Sequence, residues 1–183
     1  TVFARNAGGT EFPLLAGADG QGELVVSQYA INEIRRGRAF KAGYMTPDGS
    51  GIADDDHLDL AVTAGSRSLH TVAILAFGGD AEAYLYKNPV FSDGTAVPSY
   101  NRNQNSSGTA RATFVHSPSV SSVGTAIDSN WLPGGIGPRS VGVSDRGVEK
   151  WILAAGSSYL WRITNRSGSE KHGSIAIEFS EDG

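Results

Sequence analysis

The chain of 183 residues carries 24 glycines, 7 prolines and no cysteine, with 39% hydrophobic residues and a formal charge of −4. Glycine stands well above its ~7% average share, yet glycine and proline together stay below the ~25–30% of disordered chains, so the composition describes a turn-rich folded protein of about one domain. The lack of cysteine excludes disulfide frameworks, thiolate nucleophiles and Cys-based metal sites, and the acidic balance argues against a dedicated nucleic-acid binder.

Thr1–Asn6 lacks the basic and apolar regions of a signal peptide, and no apolar run approaches the ~18 residues of a membrane helix. Synthesis in a cytoplasm and no membrane partner are therefore expected. Residues 1–10 read as an arm. Phe12–Leu15 and Glu23–Ser27 flank the glycine-rich run 17–22 and read as a β-hairpin. Tyr29–Gly37 is the helix candidate: Ser27 is placed to cap it, Arg35 and Arg36 complement the dipole of its last turn, and Gly37 suits a left-handed C-terminal position.

From Arg38 onward the hydrophobic period changes to two. Arg38–Thr46, Leu58–Thr63, Leu69–Phe77, Glu82–Lys87, Thr109–His116, Trp151–Ala154, Ser158–Asn165 and Ser174–Phe179 fit strands bounded by Gly, Pro, Asp, Asn or Ser. Tyr84 and Tyr86 share one strand face, as do Tyr159, Trp161 and Ile163. With no helix repeated between strands, the expected fold is all-β, an antiparallel β-sandwich or jelly roll. Its parts are an N-terminal arm, hairpin and short helix over 1–37 and the sandwich over 38–183. Residues 88–108 and 132–149 are expected as long loops, where contacts concentrate. Gly-Thr-Ala recurs at 94–96, 108–110 and 124–126, a turn glycine followed by a β-branched start to a strand.

Asp54-Asp55-Asp56-His57-Leu58-Asp59 is the sharpest polar cluster, but it lacks the spaced ligands of a calcium loop and reads as a solvated turn. His57, His70, His116 and His172 are scattered, without zinc-ligand spacing. Gly142-Val143-Ser144-Asp145-Arg146 has arginine where a nucleophile elbow needs its second glycine. No catalytic residue, metal or cofactor is expected, and the protein reads as a non-enzyme. Asn105-Ser106-Ser107 and Asn165-Arg166-Ser167 match the glycosylation sequon without a secretion signal. Trp161 is expected in the core, and Trp131, beside Leu132-Pro133-Gly134-Gly135, at a surface or interface.

Arg36-Gly37-Arg38-Ala39-Phe40, the run Leu69–Leu75, Tyr84-Leu85-Tyr86-Lys87-Asn88-Pro89, Pro98-Ser99-Tyr100-Asn101-Arg102-Asn103 and the run Tyr159–Arg166 together resemble a group of small virion proteins of tailed bacteriophages. The resemblance spans roughly Glu23–Phe179 and implies a head decoration, or cement, protein on the capsid exterior. The implied partners are the major capsid protein and copies of the same chain, in a homo-oligomer with a trimer favoured over a dimer. Its motifs describe strands and turns and transfer no ligand residues. Phe3, Phe12, Leu14, Leu15 and Val25 of the arm and hairpin, with Arg35, Arg36 and Arg38, are the expected contacts to coat protein or a neighbour. Asn101, Arg102, Asn103 and Trp131 form the alternative, a glycan- or receptor-binding loop.

Overall fold

The computed structural model describes residues 3–5, 11–13, 29–134, 142–144 and 150–182. Strand makes up 56% and helix 4%, and all strand pairs among the described residues are antiparallel. The elements are β1 (Phe3–Arg5), β2 (Glu11–Pro13), α1 (Tyr29–Arg35), β3 (Ala39–Met45), β4 (His57–Thr63), β5 (Leu69–Phe77) and β6 (Ala81–Lys87). They continue with β7 (Val90–Ser92), β8 (Thr95–Val97), β9 (Tyr100–Asn101), β10 (Thr113–His116), β11 (Ser119–Ser122) and β12 (Thr125–Leu132). β13 (Gly142–Ser144), β14 (Lys150–Leu153), β15 (Ser158–Asn165) and β16 (Gly173–Glu181) complete the set.

One sheet runs β13-β5-β16-β3-β9, with β14 also on β5; the other runs β12-β6-β15-β4-β10-β8. The pairing is nested: β3 pairs with β16, β4 with β15, β5 with β13 and β14, and β6 with β12. A chain paired first with last in this way is one long hairpin, and rolling it so that successive pairs fall in alternate sheets gives a jelly-roll sandwich.

Alternation along the central strands places the core between the sheets. β5 and β16 contribute Leu69, Leu75, Phe77, Ile175, Ile177 and Phe179; β4, β6 and β15 contribute Leu60, Val62, Leu85, Tyr159, Trp161 and Ile163, all buried. Each fully buried Leu, Ile or Phe is worth ~1.5–3 kcal/mol relative to exposure. Phe179 stacks on Phe40 at 5.5 Å between ring centroids and tilts against Phe114 at 5.2 Å, closing the side where β3 and β10 approach. The Tyr159 hydroxyl stays satisfied in this apolar setting by accepting the Ala154 amide at 3.0 Å.

Three sequence expectations are corrected. The stretch 88–108 is not a plain loop: with the residues up to 124 it forms an insertion carrying β7 to β11. Within it, β8 and β10 extend the β4 edge, β9 lies beside β3, and β7–β11 is a separate ribbon. The strand expected at Thr109 begins at Thr113, because the amides of Arg111 and Ala112 are held at 2.7 and 2.9 Å by the buried carboxylate of Glu181 instead of by a ladder. At the N-terminal side, β2 pairs with β1, inside the stretch expected to be an arm; Glu23–Ser27 lies outside the described residues. Of the three Gly-Thr-Ala runs, those at Gly94 and Gly124 behave as expected, with φ of +89° and +80° immediately before β8 and β12.

Candidate functional site

α1 ends in the manner its sequence foretells. Gly37 takes φ +68°, its amide donates to Ile34 O at 2.9 Å and the Arg38 amide to Glu33 O at 2.9 Å, the paired bonds of a Schellman motif. The rest of this helix end is sealed from the insertion. Asn101 Nδ2 donates to both Gly37 O and Gly108 O at 2.9 Å, its Oδ1 accepts the Asn103 amide at 2.9 Å, and Asn103 Nδ2 donates to Arg35 O at 3.1 Å. Ser106 packs so closely that a Cβ on Gly37 would lie 2.0 Å from its Oγ. The Asn101–Asn103 segment, read from sequence as a recognition loop, is thus a lid on the helix end, its amide groups engaged by backbone.

The arginines around it divide. Arg38 pairs with the buried Glu33 carboxylate, Nη2 donating to Oε1 at 2.8 Å and Nε standing 2.8 Å from Oε2 as an ion pair, with Arg36 at 3.8 Å from the same group. Arg102 and Lys41 share Glu178, at 2.8 and 3.9 Å. Arg35 and Arg36 are exposed, and Arg67 and Arg111 come from elsewhere in the chain to line a cavity of about 250 Å³ with Arg36, Arg38 and Glu181.

A second polar region lies on the outer face of the β12-β6-β15-β4 sheet. Strand register aligns Ser129, Tyr84, Arg162 and Asp59 in one row and Trp131, Glu82, Thr164 and His57 in the next. Arg162 meets Asp59 through two bonds, Nε–Oδ1 at 2.8 Å and Nη2–Oδ2 at 2.6 Å, and the Asp59 side chain is only 3% exposed. His57 Nε2 stands 3.5 Å from the same carboxylate. Tyr84 stacks on Tyr86 at 5.5 Å, and Trp131 is 56% exposed at the sheet edge. Burial pushes the Tyr86 hydroxyl above its ordinary range, with the Arg162 charge opposing. The hydroxyl is therefore a neutral hydrogen-bond donor and acceptor near pH 7.

The aspartate run is a turn tied to its neighbours. Asp55, at φ +63°, pairs with Arg166, and Asp54 Oδ1 accepts the Gly168 amide at 2.8 Å. Among the described residues no group of three His, Asp or Glu side chains is placed to hold a metal ion. The histidines are dispersed: His70 pairs with Asp182 at 2.8 Å, His172 meets Thr46 at 3.0 Å, and His116 stacks on Tyr44 at 3.7 Å between centroids. The Asn165 sequon is closed, since its side chain is buried and donates to Ile52 O and Ser169 O at 2.8 and 2.7 Å.

Of the residues expected at an interface, Phe3 and Phe12 lie on the paired β1 and β2, and Leu14, Leu15 and Val25 lie outside the described residues. Asn101 and Asn103 are brought together with Gly37 and Arg35 at the end of α1, but Trp131 is on a different sheet edge from that group. The sequence assigns Asp59 and Arg162 no site role and does not single out Arg67 or Arg111. Asp59 within Leu58-Asp59-Leu60 and Arg162 within Trp161-Arg162-Ile163 carry a usable signal: a charge at the alternate position of an apolar strand belongs on the outer face. The chain matches no protein-family model, no curated protein and no solved structure.

Proposed function

We propose that the protein is a bacteriophage capsid decoration, or cement, protein that binds the outer surface of the major coat protein lattice as a homo-oligomer and stabilises the head, without catalysis. The observation that supports this reading is where its phage-like segments fall. Leu69–Leu75 lies in β5, Tyr84–Lys87 in β6, Tyr159–Asn165 in β15, and Arg36–Phe40 and Pro98–Asn103 meet at the sealed end of α1. They form the central strands of the sandwich and the clasp at the end of α1.

A protein that binds the assembled lattice but not separated subunits stabilises the shell by mass action, and many copies with several contacts each gain through effective concentration. In this reading residues 1–28, together with Arg35 and Arg36, reach the coat protein or a neighbouring copy. Sedimentation with emptied capsids tests it: the full chain should co-sediment with shells and not with dissociated coat subunits, and removal of residues 1–28 should lower occupancy. Equal occupancy without residues 1–28 sinks the arm assignment; equal binding to free subunits sinks the cement function.

One observation favours a second reading, a glycan- or receptor-binding virion module. The stacked Tyr84 and Tyr86 share a sheet face with the exposed Trp131 and the Arg162–Asp59 pair, and aromatic faces beside hydrogen-bonding groups suit sugar rings. A glycan array comparing wild type with Trp131→Ala and Tyr84→Ala decides it: sugar-dependent binding lost in both variants supports the second reading, and none at all removes it.

A further inference from the structure

We infer that the cavity at the end of α1 is a receptor for an acidic peptide segment of a partner protein. The inference does not depend on the capsid reading, because it follows from charge and size alone. The cavity, about 250 Å³, is lined by Arg36, Arg38, Arg67 and Arg111, drawn from the helix end, the β4–β5 connection and the insertion. Arg38 is matched by Glu33. The guanidinium groups of Arg67 and Arg111 form no ion pair among the described residues; Arg111 donates only to Ser66 Oγ, at 3.0 Å.

The acidic groups offset only part of this charge. Glu181 in the wall is buried, its Oε1 accepting two backbone amides, and with Glu33 it supplies two negative charges against four arginines. The negative end of the helix does not offset the rest. The carbonyls of Asn32, Glu33, Ile34, Arg35 and Gly37 are each taken by a donor, from Arg36, Arg38, Gly37, Asn103 and Asn101. What remains is a positive concavity in a chain whose formal charge is −4.

Two arginine forks without a carboxylate partner among the described residues are suited to carboxylates, which they bind through paired hydrogen bonds. The volume falls below the ~300 Å³ at which pockets begin to enclose drug-sized ligands, so a side-chain terminus fits and a whole nucleotide does not. The overall negative charge disfavours a long polyanion such as nucleic acid, whose phosphates would meet repulsion away from the cavity. A peptide bearing successive glutamates or aspartates satisfies all three conditions: one carboxylate enters, and its neighbours meet Arg36 at the rim.

Fluorescence polarisation of a labelled oligoglutamate peptide against the full chain at low ionic strength tests the inference. Wild type should bind, and Arg67→Ala with Arg111→Ala should weaken binding by about tenfold per guanidinium lost. The pair Arg67→Lys and Arg111→Lys, which keeps charge but loses the fork, should fall between the two and controls for folding. Inorganic phosphate, which the same forks can bind, should displace the peptide only at concentrations far above the peptide's own, and single-stranded DNA should compete poorly. Absence of peptide binding, unchanged affinity in the double alanine variant, or tighter binding of DNA or phosphate at the same arginines would overturn it.

Discussion

At the end of α1, polar side chains from the insertion close over backbone carbonyls, and Asn101 and Asn103 are engaged before any ligand could reach them. On the outer face of the β12-β6-β15-β4 sheet the polar groups bond to one another instead, Arg162 to Asp59, and leave an aromatic surface with Trp131 open to solvent. The two regions are built from residue types that look equally interactive in a sequence. Whether a polar residue recognises a partner or holds the fold depends on what the chain's own backbone leaves unsatisfied nearby, and helix ends leave several carbonyls that sheet faces do not.

The largest effect expected falls on the sheet face. Asp59→Ala leaves the half-buried Arg162 guanidinium without its carboxylate and should cost about 3–5 kcal/mol in denaturant unfolding, while replacing both partners by apolar residues should recover most of the loss. A small loss from the single variant would mean that the pair is in effect solvated. Next is Gly37→Ala at the helix end. A left-handed alanine costs ~1–2 kcal/mol, and displacing Ser106 from contact adds to it, so the total should exceed about 2 kcal/mol. Asn101→Ala follows at about 1–2 kcal/mol, since two carbonyls lose a donor, with the loss concentrated in amide exchange of the last turn of α1. If Asn101→Ala left stability untouched, the distinction between clasp and contact surface would collapse.

A pH effect belongs to neither region and serves as their reference. Burial lowers His116 below its ordinary value of 6.5, so the unfolded chain binds the proton more readily. Its contribution to stability is present above about pH 6.5 and is lost as pH falls from there through the lowered folded value. His116→Phe, which keeps a ring against Tyr44, should flatten that acid limb in unfolding curves taken across pH, and an unchanged slope would show that the ring is not desolvated. The smallest stability effect is expected of Trp131→Ala, within about 0.5 kcal/mol because the side chain is mostly in water. A large loss there would make Trp131 a packing residue and remove the open aromatic surface.

The central strands were legible because they are long apolar runs bounded by Ser and Gly: Leu69–Phe77 and Ser158–Asn165 have the bounds their patterns give, with Tyr159, Trp161 and Ile163 buried. β12 was not, for two physical reasons. It is an edge strand with a register shift between Ala126 and Asp128, which breaks the alternation, and it holds Asp, Ser and Asn, which strands disfavour. β7, β8 and β9 have two or three residues each, too few for any period to show. The helix end was legible in Gly37 itself, but its lid was not, because Asn101 and Gly37 lie 64 positions apart and an asparagine's polarity does not say which carbonyl it faces. The arginine cavity escaped for the same reason: Arg36 was visible, and Arg67 and Arg111 become its neighbours only when the β4–β5 connection and the insertion close on α1.

The central claim is that this sandwich is a coat-binding module of a virion shell, and electron microscopy of the intact phage particle tests it most directly. The account predicts density for the jelly roll on the outside of the head, in symmetric oligomers repeated with the coat lattice. Density confined to the tail or to a single vertex, or absence of the protein from the particle, would contradict it.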